Sequence, residues 1–243
     1  TSNNLNQYTN VDKEELSYDL NGNLTSKTDA TGTTKYEYDY LDRLVKVTTQ
    51  GNVYEYGYDV FGNRNKVSVN GAATEYLNTP TGLGYVLEQY TGSNITRYIQ
   101  GSGLAARIDG EDTYFYGFNH LGSTVNITDK NGTVVNSYKY NQDGKIVSKI
   151  EGIQNPFAYV GKQGVMNDNN GLYYMRARYV SQETNSFINV DPSGQSMDLN
   201  VYRYVKGCPV LFTDINGLWA AEIGVGVSGG IGFGTSQSTQ IVI

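Results

Sequence analysis

Cysteine, histidine and long apolar runs are nearly missing from this 243-residue chain, and each scarcity excludes something. A single cysteine, Cys208, cannot build an internal disulfide framework or a cysteine-based zinc site. A single histidine, His120, argues against a histidine-rich metal site and against a Ser-His-Asp triad. No metal and no cofactor is expected. Nowhere do about 18 apolar residues run together, which argues against a spanning helix and against membrane contact. Basic clusters are absent too: 18 Lys+Arg face 24 Asp+Glu, a net charge of −6, so nucleic acid is a poor partner for this chain. The opening residues, Thr1 to Leu5, carry neither a basic segment nor an apolar core, so no signal peptide is expected there. What the chain has in plenty is tyrosine and glycine, 22 and 29 of them, the composition of many short strands joined by tight turns.

Those residues recur in order. Tyr18-Asp19 returns as Tyr38-Asp39 and as Tyr58-Asp59, 20 residues apart each time. The units read Leu16-Ser-Tyr-Asp-Leu-Asn-Gly-Asn-Leu, Tyr36-Glu-Tyr-Asp-Tyr-Leu-Asp-Arg-Leu and Tyr56-Gly-Tyr-Asp-Val-Phe-Gly-Asn-Arg. In each, aromatic and polar residues alternate as a half-buried strand requires. Asp then stands three residues before Gly (Asp19 and Gly22, Asp59 and Gly62), the pattern of a type I turn whose carboxylate accepts a backbone N–H. Asp42 takes the glycine position in the middle unit, as a residue tolerant of the left-handed region can. A second strand and a second glycine close each unit, so one repeat makes one hairpin. Degraded copies follow at Phe115 to Val125 and Tyr138 to Ile146, with an Asn131-Gly132 turn between them. A lone hairpin cannot bury its own face, so neighbouring repeats must pair edge to edge. The expected fold is all-β, a long twisted antiparallel ribbon in which tyrosine rings pack across strands while their hydroxyls reach water. At most one or two short helices are expected, the best candidate lying near Asp198 to Lys206.

The Tyr-Asp hairpins resemble the YD (Rhs) repeats of bacterial polymorphic toxins, Tc-toxin C subunits and wall-associated proteins. Six further segments are similar to the core that follows those repeats: Phe118-Asn-His-Leu-Gly-Ser-Thr, Phe157-Ala-Tyr-Val-Gly-Lys-Gln, Gly171-Leu-Tyr-Tyr-Met-Arg-Ala-Arg-Tyr, Ser186-Phe-Ile-Asn-Val-Asp-Pro, Asn200-Val-Tyr-Arg-Tyr-Val and Asp214-Ile-Asn-Gly-Leu. The resemblance covers roughly residues 12–218. It implies YD-repeat hairpins wound as a spiralling sheet, part of a hollow shell that encloses a toxic C-terminal domain and is closed by an Rhs-associated core. The chain then divides into 1–114 (repeat shell), 115–218 (core, plug and autoprotease) and 219–243 (start of the cargo or a linker). The implied partners are the N-terminal remainder of the shell, the cargo and an immunity protein for that cargo. The implied location is secreted or on the bacterial surface.

The resemblance also implies self-cleavage of aspartic type, in cis and once. Residue by residue, the acid pair would be Asp191 and Asp214, the supporting arginine Arg178, and the cut bond Leu218–Trp219. The chemistry is sound on its own terms. Cutting an amide needs one group to activate water and another to protonate the leaving nitrogen, which two neighbouring carboxyls can do. An arginine beside them can fix a carboxylate or support developing negative charge. Gly217 would let the backbone pass the carboxylates without a Cβ clash. Local sequence alone favours plain turns at Asp191-Pro-Ser-Gly and Asp214-Ile-Asn-Gly. Two positions depart from the family pattern: Ile215 replaces a proline, and Asn185-Ser186-Phe187 replaces Gly-Arg-Phe. A proteolytically silent plug, a surface module that stacks tyrosines on sugars, and a protease acting in trans are the competing readings. His120 is expected to cap a turn or pack between tyrosines, and Cys208 to be a buried, inert thiol. Gly224 to Gly229 fits a nucleotide-loop pattern but lacks the helix and the acidic residue that would support one.

Overall fold

The computed structural model describes residues 1–192 and 200–218, and the backbone of 221–222. Fifteen strands, from Asn10–Val11 to Ile146–Glu151, form one open antiparallel sheet in which each strand pairs only with its neighbours in sequence. The repeat dictates this order. Asp19 Oδ1 accepts from the amides of Asn21 and Asn23 at 3.0 and 2.8 Å, while its carbonyl accepts from Gly22. Asp39 and Asp59 do the same in the next two turns. Each turn leaves through the left-handed region, at Gly22 (φ 86°), Asp42 (φ 58°) and Gly62 (φ 84°). A register shift then falls at the residue before each turn, at Tyr18, Tyr38 and Tyr58, and again at Asn78, Gln100, Phe118 and Tyr140. This is the three-residue hairpin with its bulge, repeated along the wall.

The bulge corrects the expectation for the tyrosine hydroxyls. Tyr38 and Tyr58 do not point their hydroxyls to water; they donate to the carbonyls of Leu24 and Leu44, 3.0 and 2.7 Å away and 14 residues back. Tyr140 donates likewise to Thr124. Where tyrosine is lost, an amide takes over: Asn78 donates to the Arg64 carbonyl and Gln100 to the Val86 carbonyl. Five hairpins are thus tied to the one before by a side chain as well as by the ladder; Phe118, with no polar group to donate, interrupts the series. Burial pushes the Tyr38 and Tyr58 hydroxyls well above their usual titration range, so they stay donors.

Residues after Glu151 pack against the buried face of the sheet; this unit is called the plug and the sheet the wall, as names of position only. The plug holds a four-stranded sheet (Met166–Asn167, Leu172–Met175, Arg178–Ser181, Ser186–Phe187) and short connecting turns. One apolar cluster joins wall to plug, with Leu24, Leu44, Tyr54 and Tyr56 against Phe157, Met166, Tyr174 and Tyr179. A second lies within the plug, around Tyr159, Tyr173, Phe187 and Tyr204. The wall's strand ends are also stitched to it: the Leu24 and Thr124 amides donate to the Ile188 and Ala158 carbonyls, both at 2.8 Å. At the centre of the wall–plug seam, Arg64 is fully enclosed. Its Nη1 and Nη2 meet the Asp168 carboxylate at 2.5 and 2.8 Å, and its charge lies over the Tyr174 ring.

The helix expected near Asp198 to Lys206 is not what the described part of that segment forms. Asp198 and Leu199 lie outside the described residues; beyond them, Val205–Gly207 make a single 3-10 turn. Tyr204 is extended and Lys206 is left-handed (φ 56°), which ends any helical run. Most of 219–243, including Trp219 and the Gly224 to Gly229 stretch, also lies outside the described residues.

Candidate functional site

The plug's hairpin Leu172–Met175/Arg178–Ser181 turns through two residues, Arg176 and Ala177, with Met175 opposite Arg178. This tight turn sets two arginines on either side of one loop. Arg178 is buried, its guanidinium over the Phe187 ring. Its Nη2 lies 3.0 Å from Asp191 Oδ2 and 3.6 Å from Asp214 Oδ2. Two acids 23 positions apart in the chain therefore converge on one nitrogen, and both are buried. Nε of the same arginine donates to the Gly217 carbonyl, and Nη1 to the Val201 carbonyl at 3.1 Å. Burial lowers the pKa of Arg178 from its ordinary value, with Asp191 and Asp214 opposing that shift.

Asp214 also does what its local sequence dictates. Its Oδ1 accepts from the amides of Asn216, Gly217 and Leu218 at 3.3, 2.8 and 3.2 Å, capping the turn. The turn role and the meeting with Arg178 use different oxygens of one carboxylate. Gly217 has φ 73°, and a Cβ there would stand 2.4 Å from the Met175 carbonyl oxygen and 2.9 Å from the Arg178 nitrogen. The close approach that requires glycine is therefore to the arginine hairpin, not to the carboxylates. Leu218 and Asp191 line a groove of about 660 Å³ that opens between the plug and the wall's turn tips, Leu41 and Phe61 among them. Beyond the groove, Ala221–Glu222 returns to pair with Phe212–Thr213, so the loop bearing Leu218 is the connection of a small hairpin.

Sequence reasoning gave no role to Arg176. Its guanidinium donates to three backbone carbonyls, those of Leu83 in the wall, Gln163 in the plug (2.7 Å) and Ile215 beside Asp214. Ile215 thus occupies the proline position with its carbonyl held by this arginine. Burial lowers the pKa of Arg176, with Tyr174, Tyr85 and Asp214 opposing. The only advance signal was its spacing of two from Arg178. Two smaller expectations are corrected. Cys208 is exposed, because the 3-10 turn before it carries it away from the apolar cluster. His120 is exposed on a turn tip and meets the Val210 carbonyl at 3.2 Å, neither capping its turn nor packing between rings. The cap there is Asn119, which accepts from Leu121 and Ser123.

Comparison with known proteins agrees with this architecture. A family model described as RHS Repeat matches residues 18–52. The chain is 33% identical over 228 residues, 88% of its length, to a tRNA3(Ser)-specific nuclease WapA of Bacillus spizizenii, and 34% identical over the same length to the tRNA nuclease WapA of Bacillus subtilis. It is 29% identical over 105 residues, 41% of its length, to the toxin subunit YenC1 of Yersinia entomophaga. In each case it spans 10% of the relative. Among solved structures, TcdB2-TccC3 superposes with a TM-score of 0.60 over 84% of this chain and 14% of that one, at 18% identity, a likeness of fold. Hairpins in unbroken order, the RHS Repeat match and relatives 33% and 34% identical over 88% of this chain lead to one conclusion: the chain belongs to the Rhs/YD-repeat family.

Proposed function

We propose that this chain is a stretch of a YD-repeat toxin's shell wall together with its plug, and that the plug frees a C-terminal cargo by one cut after Leu218. In this reading residues 1–114 are repeat shell, 115–218 the core, whose first strands extend the wall, and 219–243 the start of the cargo region. The partners are the N-terminal remainder of the shell and the cargo, with an immunity protein for the latter; the setting is secreted or on the cell surface. The observation that carries the proposal is the convergence of Asp191 and Asp214 on Arg178, whose Nε holds the carbonyl of Gly217, the residue before Leu218. The acid pair would activate water for attack on the Leu218 carbonyl. The C–N bond to Trp219 breaks, the water's hydroxyl stays on the new carboxyl and its proton leaves with the amine. Arg178 offsets the repulsion between two buried acids and supports the charge that develops between them.

The chain itself tests this, since it carries 25 residues after Leu218. Intact mass of the purified product should show a chain ending at Leu218, and Asp191→Asn or Asp214→Asn should leave it whole. An uncut wild type, or Asp214→Asn cut at the wild-type rate, would refute the catalytic reading. A silent plug is the second reading, favoured by the three amides on Asp214 Oδ1, which give that acid a complete turn role. The sugar-stacking reading has little to stand on, because Tyr8 and Tyr40 are the only two exposed tyrosines of the 22.

A further inference from the structure

We infer that Arg176 is a positioning residue that couples the wall to the loop bearing Asp214, so that the acid pair is aligned only once the wall has closed on the plug. The inference rests on the cleavage reading above and adds an order of events to it.

The three carbonyls that Arg176 holds come from segments far apart in the chain. Leu83 belongs to the loop between the wall strands Ala72–Asn78 and Val86–Thr91; Gln163 sits in the plug's first 3-10 turn, Gly161–Gln163; Ile215 adjoins Asp214. No carboxylate lies within ion-pair distance of this guanidinium among the described residues, so backbone dipoles alone receive its hydrogen bonds. A rigid planar fork suits that task, because its donors point in fixed directions at once. The site is shaped to admit it. Gly164 is left-handed (φ 86°), and a Cβ there would come within 2.9 Å of Arg176 Nη2. On the wall side, the Tyr85 ring lies 5.5 Å from the guanidinium, and the Tyr85 hydroxyl donates to Gln163 Oε1 at 3.0 Å.

The consequence follows from the hairpin. Arg176 and Arg178 are fixed to each other by the two-residue turn, and the loop 214–217 lies against both. Arg178 draws in the acids and the Gly217 carbonyl; Arg176 holds the Ile215 carbonyl from the other side. The Ala177 amide donates to the Asn216 carbonyl between them, at 3.1 Å. Without the Leu83 carbonyl and the Tyr85 ring, Arg176 loses the contacts that fix its direction, and the loop loses one of its two arginine anchors. The cut would then wait for the wall, and the cargo would stay tethered until it is contained.

The test follows the Leu218-ending product by mass during refolding of the whole chain, with the rate divided by the folded fraction from near-ultraviolet circular dichroism. Arg176→Gln should cut on the order of tenfold to a hundredfold more slowly than wild type once folded, the scale of loss that misplacing reacting groups by about an ångström produces. Arg176→Lys should fall between the two. Tyr85→Leu, changed only on the wall side, should slow the cut as well, and the double variant should be no slower than Arg176→Gln alone. Wild-type rates in folded Arg176→Gln or in Tyr85→Leu would overturn the coupling, and so would losses that multiply in the double variant. Should Arg176→Gln fail to fold, Arg176→Lys and Tyr85→Leu decide it by the same criteria. A wild type that never cuts removes the cleavage reading and this inference together, whereas a wild type that cuts with all variants equal to it removes only the inference.

Discussion

The wall and the plug solve the same problem in opposite ways. In the wall each strand pairs with the next in sequence, the Tyr-Asp turns are capped by their own Asp, and the stitch from Tyr38 and Tyr58 reaches back only 14 residues. In the plug the decisive contacts span the chain: Arg64 to Asp168, Leu83 to Arg176, Arg178 to Asp214. Local rules give a structure that can be extended by repetition, while long-range contacts give a unique place where unlike groups meet. The wall's turn tips expose apolar residues such as Leu20, Val60 and Phe61, whereas charged side chains are buried at the seam, at Arg64, and inside the plug, at Arg178, Asp191 and Asp214. The difference teaches where sensitivity to mutation should lie.

The sharpest way to break the comparison is at the seam. Arg64→Met leaves Asp168 buried without its cation and should cost about 3–5 kcal/mol, read as a shift in the urea midpoint. Arg97→Met removes a wall ion pair with Glu88 that is more than half exposed on the arginine side, and it should cost no more than about 1 kcal/mol. Equal losses at the two sites would show that the wall is as demanding as the seam.

Two glycines with nearly the same backbone give a finer test. Gly132 (φ 82°) has open space where a Cβ would go, whereas at Gly144 (φ 80°) a Cβ would stand 2.2 Å from Tyr159 Cε2. Gly132→Ala should therefore cost roughly 1–2 kcal/mol for the left-handed backbone alone. Gly144→Ala should add about 1–3 kcal/mol of overpacking where the wall meets the plug. Thermal unfolding of the two variants side by side measures the difference.

The smallest effect belongs to a single wall turn and depends on pH. Burial would raise the Asp39 pKa, but the Arg43 guanidinium and the amides of Arg43 and Leu41 outweigh it and hold the carboxyl below its ordinary 3.8. The folded state thus binds this proton more weakly than the unfolded chain. Its contribution is present in full above 3.8 and fades as the pH falls through the lowered native value. Asp39→Asn should be less stable than wild type near neutrality and lose that deficit in acid, as urea midpoints at the two pH values would record. A deficit unchanged in acid would assign the turn's stability to something other than the charge.

The wall was legible because its physics is local. Tyr-Asp-x-x-Gly states an alternation, a cap and a left-handed exit within a few residues, and the structure has all three at 18–22 and 58–62. The tyrosine hydroxyls were misread because their acceptors are backbone carbonyls 14 residues back, on the strand just before, and a carbonyl carries no residue identity to notice. The helix near 198–206 was misread because Leu199, Tyr202 and Val205 have helical spacing, yet Tyr202 and Val205 are buried against partners on separate elements, Tyr18 and the plug cluster. Arg178 and the two acids could be named through resemblance alone; Arg176, beside them, drew no attention because its partners are backbone carbonyls, which carry no residue identity to notice.

Sequence by itself determined the hairpin, its period and its capped turns, because an Asp, a Gly and alternating aromatics act on neighbours a few bonds away. Only the tertiary structure decided that Asp191 and Asp214 share one nitrogen of Arg178, and that Arg176 ties the loop beside them to the wall. Those meetings bridge segments tens of residues apart, and packing the plug onto the wall is what brings them within reach of one another.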